Sequence, residues 1–148
     1  MPSDLWLADT NILLRWLQPE GSDFPIVVRG IRRVESTGAT LCFTGQNMSE
    51  FWNVMTRPVD RNGYGASPAE ADARARSIET SFRFLPDNVN VYLTWRQPLV
   101  DHSIRGVQVH DARLVAAMLV HGVKRILRFN TRDFARYSQV EAIHPSQV

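Results

Sequence analysis

Leu5-Trp6-Leu7-Ala8 is a short apolar run that ends in the polar trio Asp9-Thr10-Asn11, a pattern typical of a strand that turns into a capped helix. It predicts a first strand and then a helix through Leu17, stopped by Pro19-Glu20-Gly21-Ser22. Ile26, Val27, Val28, Ile31 and Val34 then restore helical spacing until Thr37-Gly38, and Thr40 to Thr44 reads as a second strand. After Gly45, the positions Met48, Phe51, Trp52 and Met55 recur at helical spacing. That helix must stop near Arg57-Pro58, because proline disfavours α geometry in the residue before it.

Asn62-Gly63-Tyr64-Gly65 reads as a loop. Ser67-Pro68-Ala69-Glu70 offers a serine cap, a first-turn proline and a glutamate three residues on, which predicts a helix reaching about Phe84. Pro86-Asp87-Asn88 is a turn, and the alternation of Val89, Val91 and Leu93 predicts a strand, followed by a short helix from Trp95 to Ile104. His110 to His121 reads as a helix closed by Gly122, Arg125 to Phe129 as a buried strand, and Val140 to Ile143 as an edge strand. Alternating strands and helices of this kind predict one domain over residues 1–148, an α/β/α sandwich of three layers with a central, mainly parallel sheet. No repeat, linker or low-complexity tract interrupts it.

Composition narrows the class of function. At 148 residues with 44% hydrophobic and 22% charged, the chain has the make-up of a single globular core. The one cysteine, Cys42, lies in the apolar run Leu41-Cys42-Phe43 and reads as a core filler, which excludes a disulfide framework or thiolate cluster within one chain. The four histidines show no ligand spacing, so zinc is not expected. No apolar stretch approaches the roughly 20 residues of a membrane span, and Met1-Pro2-Ser3-Asp4 lacks the basic flank of a signal peptide, so the expected location is cytoplasmic. Net charge is only +2, but lysine is confined to Lys124. The positive charge is therefore almost all guanidinium, which suits bidentate phosphate contacts, although coding bias produces the same excess.

In parallel α/β folds, active sites form beyond the carboxyl ends of the strands. Asp9 follows the first strand directly, Glu50 lies in the first turns of the helix after the second, Asp111 opens the helix before the last core strand, and Asn130 and Asp133 follow that strand. Each acid taken singly has a structural reading: a cap for Asp9, a dipole partner for Asp111, a solvated helix position for Glu50. Taken together they describe one rim. Converging carboxylates repel unless a divalent cation or shared protons neutralise them, and a hard, oxygen-binding ion is the natural solution.

Four segments in order carry a resemblance: Asp9-Thr10-Asn11 after its apolar strand, Gln46 to Val54 with Thr56-Arg57-Pro58, His110 to Met118, and Phe129-Asn130-Thr131-Arg132-Asp133-Phe134. Over nearly its whole length the chain resembles the PIN-domain endoribonucleases of the VapC toxin type. The resemblance implies Mg²⁺- or Mn²⁺-dependent hydrolysis of RNA phosphodiester bonds, with Asp9, Glu50 and Asp111 as metal-site carboxylates and Thr10 as a hydroxyl beside them. It also implies a cognate antitoxin protein and a homodimer, for which the apolar positions Ile26, Val27 and Ile31 offer a face. The chain departs from the Thr-x-Asp segment of many relatives, having Arg128-Phe129-Asn130 there and Asp133 three residues later. Asn130 is then expected in an outer-shell or substrate role, and Asp133 either completes the acidic set or caps a short helix.

Substrate contacts are less sharply marked. Arg113 is the basic residue selected for phosphate contact, beside Arg57, Arg105 and Arg132, all of which also fit ordinary surface positions. Trp52 could stack a base, but its spacing with Met48 and Met55 favours the core or a dimer interface. The alternative of a catalytically silent PIN domain that binds RNA or protein draws on the Asn130 departure. An unrelated nucleotide-binding α/β protein would need a glycine-rich phosphate loop after the first strand, and there is none.

Overall fold

The computed structural model describes residues 4–148. The elements are β1 (Leu5–Ala8), α1 (Thr10–Trp16), α2 (Phe24–Ser36), β2 (Thr40–Thr44), α3 (Gly45–Thr56), α4 (Pro68–Ser81), β3 (Arg83–Leu85), α5 (Val89–Asp101), α6 (Gln108–His121), β4 (Arg125–Leu127) and β5 (Glu141–Ile143), with short 3₁₀ turns at Val59–Arg61, Arg132–Phe134 and Pro145–Gln147. The five strands form one sheet in the order β3-β2-β1-β4-β5, and every pairing is parallel. The reading of Met1-Pro2-Ser3 falls on residues outside those described. Among the described residues no helix is long and apolar enough to cross a membrane.

Alternation along each central strand builds the layers, because successive side chains leave opposite faces of a sheet. Trp6, Ala8, Leu41, Phe43 and Leu127 point to one face, where they pack with Ile12, Leu13, Val27, Ile31, Val34, Phe51, Met55, Ala71 and Ile78 of α1 to α4. Leu7, Cys42, Leu85 and Ile126 point to the other face, against Ala112, Leu114, Val115 and Met118 of α6, with Trp95 and Leu99 of α5 alongside. The expected three-layer sandwich is therefore present, with a sheet that is parallel throughout. Cys42 is the expected filler, fully buried, with its thiol pushed up to about 12 by that burial.

Two elements differ from the sequence reading. Val89, Val91 and Leu93 are not a strand but the first turns of α5. The Asn88 side chain accepts the Val91 N–H at 3.2 Å and caps the helix, and the stripe that packs inward is Val91, Trp95 and Leu99 at helical spacing. The apparent alternation is surface accident: Val91 is 2% exposed, whereas Val89 and Leu93 are 68% and 60% exposed. The third strand lies instead at Arg83–Leu85, inside the segment read as the end of α4, where it pairs Phe84 with Phe43. No glycine or proline marks that boundary, and the free edge of β2 decides it. The remaining helices and strands fall where the pattern puts them, with β4 ending at Leu127 rather than Phe129.

Of the residues suggested for a dimer face, Val27 and Ile31 are consumed by the core beneath α2. Large apolar side chains are left outside elsewhere: Val89, Tyr92, Leu93 and Val100 along one stripe of α5, and Val59, Phe84 and Val107 singly.

The helical assignment of α5 makes a direct prediction. Val91→Ala should cost about 2 kcal/mol through lost burial and the cavity it leaves, while Val89→Ala should stay within about 0.5 kcal/mol. Urea unfolding of both variants measures this, and comparable losses would contradict the α5 packing.

Candidate active site at the carboxyl rim of the sheet

The chain starts at the middle of the sheet with β1, builds outward through β2 and β3, then returns to place β4 on the other side of β1. The crevice at this reversal opens at the carboxyl ends of β1 and β4, where ligands of open parallel sheets bind. Asp9 follows β1 and Arg128 follows β4. Their backbones are fixed by the ladder: Asp9 N–H donates to the Leu127 carbonyl at 3.0 Å and Arg128 N–H to the Ile143 carbonyl at 3.1 Å.

Asp9 occupies the cap position of α1 but its carboxylate makes no capping hydrogen bond. The structural reading of this acid is thereby removed, and the carboxylate faces the crevice. Burial raises its pKa from the ordinary 3.8 to about 6, against the lowering effect of Arg128 and of the Thr10 backbone N–H, with Glu50 and Asp111 adding to the rise. Asp111, in the first turn of α6, meets the same guanidinium: Arg128 Nη1 lies 3.3 Å from Asp111 Oδ1 and 3.9 Å from Asp9 Oδ2. Arg128 Nη2 lies 3.7 Å from Asp133 Oδ2. Three of the four expected acids therefore surround one buried arginine.

Glu50 stands beside them through a shared network. Its Oε2 accepts from the Thr10 hydroxyl at 2.8 Å and its Oε1 from Gln46 Nε2 at 3.0 Å. Asn47 Nδ2 donates to the same Thr10 oxygen at 3.2 Å, while Asn47 Oδ1 accepts the Thr44 N–H in a capping box that starts α3. Gln46 Nε2 also reaches the His110 carbonyl at 2.8 Å, so α3 and α6 are tied across the cleft mouth. Thr10 thus positions Glu50, and Asn47 positions Thr10.

Asp133 does not cap. It lies within the 3₁₀ turn Arg132–Phe134, whose first residue is preceded by Thr131, and its carboxylate accepts from Asn130 Nδ2 at 2.8 Å. Asn130 closes its own local turn by accepting the Arg132 N–H at 3.2 Å, so its amide links the turn to Asp133. Arg113 is held by Asp87 at 2.8 Å on the wall of a cleft of about 630 Å³ that Gln46, Glu50 and His110 also line. Arg57 turns to the Asn62 carbonyl, Arg105 and Arg132 are exposed, and Trp52 is half-buried against the core.

Asp9, Glu50, Asp111 and Asp133 are hard oxygen donors, and three of them gather about a positive group, the Arg128 guanidinium. The donor chemistry therefore fits a divalent ion. As arranged, however, no three acidic, histidine or cysteine side chains among the described residues are close enough to enclose a metal. A guanidinium spreads its nitrogens, so carboxylates placed around it stand farther apart than those sharing an ion at the roughly 2.1 Å bonds of Mg²⁺.

The PIN domain family model matches residues 7–140. The chain belongs to the PIN domain family. No curated protein matches it in sequence. The fold is shared with solved structures of low identity. VapBC2 from Rickettsia felis, bound to a DNA fragment from its promoter, has a TM-score of 0.67 at 10% identity and covers 95% of this chain and 98% of its own. A toxin-antitoxin complex from Klebsiella pneumoniae has a TM-score of 0.65 at 16% identity and covers 97% and 99%. VapC20 from Mycobacterium tuberculosis, a Sarcin-Ricin loop cleaving toxin, has a TM-score of 0.65 at 18% identity and covers 93% and 99%.

For this PIN domain, sequence reasoning missed Arg128, reading it as part of a buried strand. The run Ile126-Leu127-Arg128-Phe129 carries half of a signal: an arginine there must find acids if it is buried, but the sequence does not say whether it is. Gln46 and Asn47 lay inside a motif noticed for Glu50, but their bonds depend on how α3 meets α1 and α6, which spacing does not encode.

The raised pKa of Asp9 carries a prediction for the PIN domain without metal. Because the folded state holds this proton more tightly than the unfolded state, stability from Asp9 is fully present below about pH 4 and is lost as pH rises toward 6. The loss at pH 7 is about 3 kcal/mol by linkage. Asp9→Asn should remove this slope, so that in EDTA it matches wild type at pH 4 and exceeds it at pH 7.5. Identical pH profiles in urea unfolding would show that the carboxylate is not buried as described.

Proposed function

We propose that this PIN domain is a divalent-metal-dependent endoribonuclease and the toxin of a toxin–antitoxin pair. The observation that carries the reading is the convergence of Asp9, Asp111 and Asp133 on one buried guanidinium, that of Arg128, with Glu50 fixed alongside by Thr10. Asp9, Glu50 and Asp111 would hold the ion, with Asp133 completing the acidic set. A bound Mg²⁺ or Mn²⁺ would supply an activated water and neutralise charge developing on the phosphate. The chain's own part is orientation: Thr10 and Gln46 fix the two oxygens of Glu50, and Asn130 steers Asp133. Arg113 on the cleft wall would meet RNA phosphates, after exchanging Asp87 for them.

The toxin role and the antitoxin partner draw on the neighbours of the same fold, among them a toxin-antitoxin complex and a Sarcin-Ricin loop cleaving toxin. A cytoplasmic site of action goes with that role. A homodimer through the exposed stripe of α5 suits a helix face of this apolarity. Sedimentation across a wide concentration range tests it, and a monomer at every concentration would remove the dimer.

A second reading, a silent PIN domain that binds RNA or protein, is favoured by Arg128, whose charge already fills the acidic centre. Cleavage assays separate the two. Purified protein should cut structured RNA with Mg²⁺ and not with EDTA, and Asp111→Asn should reduce cleavage at least about 100-fold in a folded protein, since it removes a ligand charge with almost no change of shape. RNA binding without any metal-dependent cleavage would establish the silent module.

A further inference from the structure

The guanidinium of Arg128 is among the most buried polar groups of the domain, and its side chain is only 10% exposed. Its distances to the acids, 3.3, 3.7 and 3.9 Å, are all longer than the 2.7 to 2.9 Å typical of a charge-assisted hydrogen bond. Its Nε is buried without any partner. A structural arginine of such burial ordinarily saturates its donors, because an unmet buried donor costs about 1–3 kcal/mol. Arg128 instead makes one long hydrogen bond, from Nη1 to Asp111 Oδ1 at 3.3 Å, faces Asp9 and Asp133 at greater distance, and rests over the Phe134 ring at 4.4 Å. We propose that Arg128 is a built-in competitor for the metal: its guanidinium closes the acidic centre, and a divalent ion binds only when that side chain swings out.

This inference rests on the metal-dependent reading given above. The two cations exclude each other by space and charge. An ion about 2.1 Å from the carboxylate oxygens would lie within a few ångströms of a guanidinium that touches those same oxygens, and like charges that close repel strongly in a poorly solvated crevice. The exchange requires no change in the sheet, since the Arg128 backbone stays bonded to Ile143 while only its side chain rotates. One guanidinium against three acids also leaves the centre negative, so a divalent ion is still attracted. The consequence is a raised metal threshold, because apparent affinity falls by the fraction of molecules in which the site is open.

The test is calorimetric titration of the metal-stripped full chain with Mn²⁺, wild type against Arg128→Met, which keeps an unbranched apolar stem. The variant should bind Mn²⁺ about tenfold or more tightly, the factor expected if the closed state holds at least nine molecules in ten. Without metal it should melt at a lower temperature, its carboxylates having lost their counter-ion. Equal or weaker Mn²⁺ binding by the folded variant overturns the proposal and leaves the metal-dependent reading intact. No binding to either protein at millimolar Mn²⁺ overturns both. Should the variant not fold, the wild type decides: its Arg128 Nε–H resonance should move or broaden as Mg²⁺ is added, in step with the backbone amides of Asp9 and Asp111. A resonance that stays unchanged once those amides have reached saturation overturns the proposal.

Discussion

Three carboxylates brought to one crevice repel each other, and this fold sets a buried positive charge among them. Arg128 is that charge, at the end of β4, facing Asp9 at the end of β1 and Asp111 on α6. The pairing of β1 with β4 brings the two strand ends together, and the crossover through α5 and α6 delivers Asp111 over them. The parallel sheet and the ion cluster are thus one construction: a different strand order would separate Asp9 from Arg128 and leave both buried without the opposite charge.

Around this centre the precision comes from neutral groups. Thr44, Asn47, Thr10 and Glu50 form a chain of hydrogen bonds that runs from a helix start to a carboxylate, and Asn47 and Thr44 are almost wholly buried. Such a chain fixes the Glu50 rotamer at the cost of no additional charge, because each neutral partner holds the next by a hydrogen bond. Asn47 uses both ends of its amide, one to begin α3 and one to hold Thr10. The helix start and the site geometry therefore share a residue.

Most of this architecture was legible because period and punctuation agreed with the tertiary structure: Pro58, Ser67 with Pro68, and Gly122 end or begin helices where they should. Failure came where a local pattern was ambiguous. Val89, Val91 and Leu93 alternate like a strand, yet Asn88 is a helix cap and Trp95 and Leu99 continue a helical stripe from Val91. The segment at Phe84 carries no stop signal and becomes a strand because β2 offers it an edge. The acids were legible from their place after strand ends, while Arg128 was not, since an arginine beside apolar residues reads equally as a snorkelling strand residue. Its role exists only in the distances between β1, α6 and β4.

The helix starts divide along the same line. Thr44, Ser67 and Asn88 spend their side chains on capping α3, α4 and α5. Asp9 stands at the start of α1 with a residue type well suited to cap, and its carboxylate is withheld; the cap position of α6 is held by Val107, which has no capping group at all, and the helix carries Asp111 in its first turn. A missing cap costs about 1 kcal/mol, so the two uncapped starts that border the crevice are local losses of stability. Asp23 at the start of α2 also fails to cap, but its carboxylate goes to Arg15, outside the crevice. What sets Asp9 apart is therefore where its carboxylate goes: into a crevice that burial makes unfavourable for a bare charge, and where Arg128 opposes the uptake of a proton.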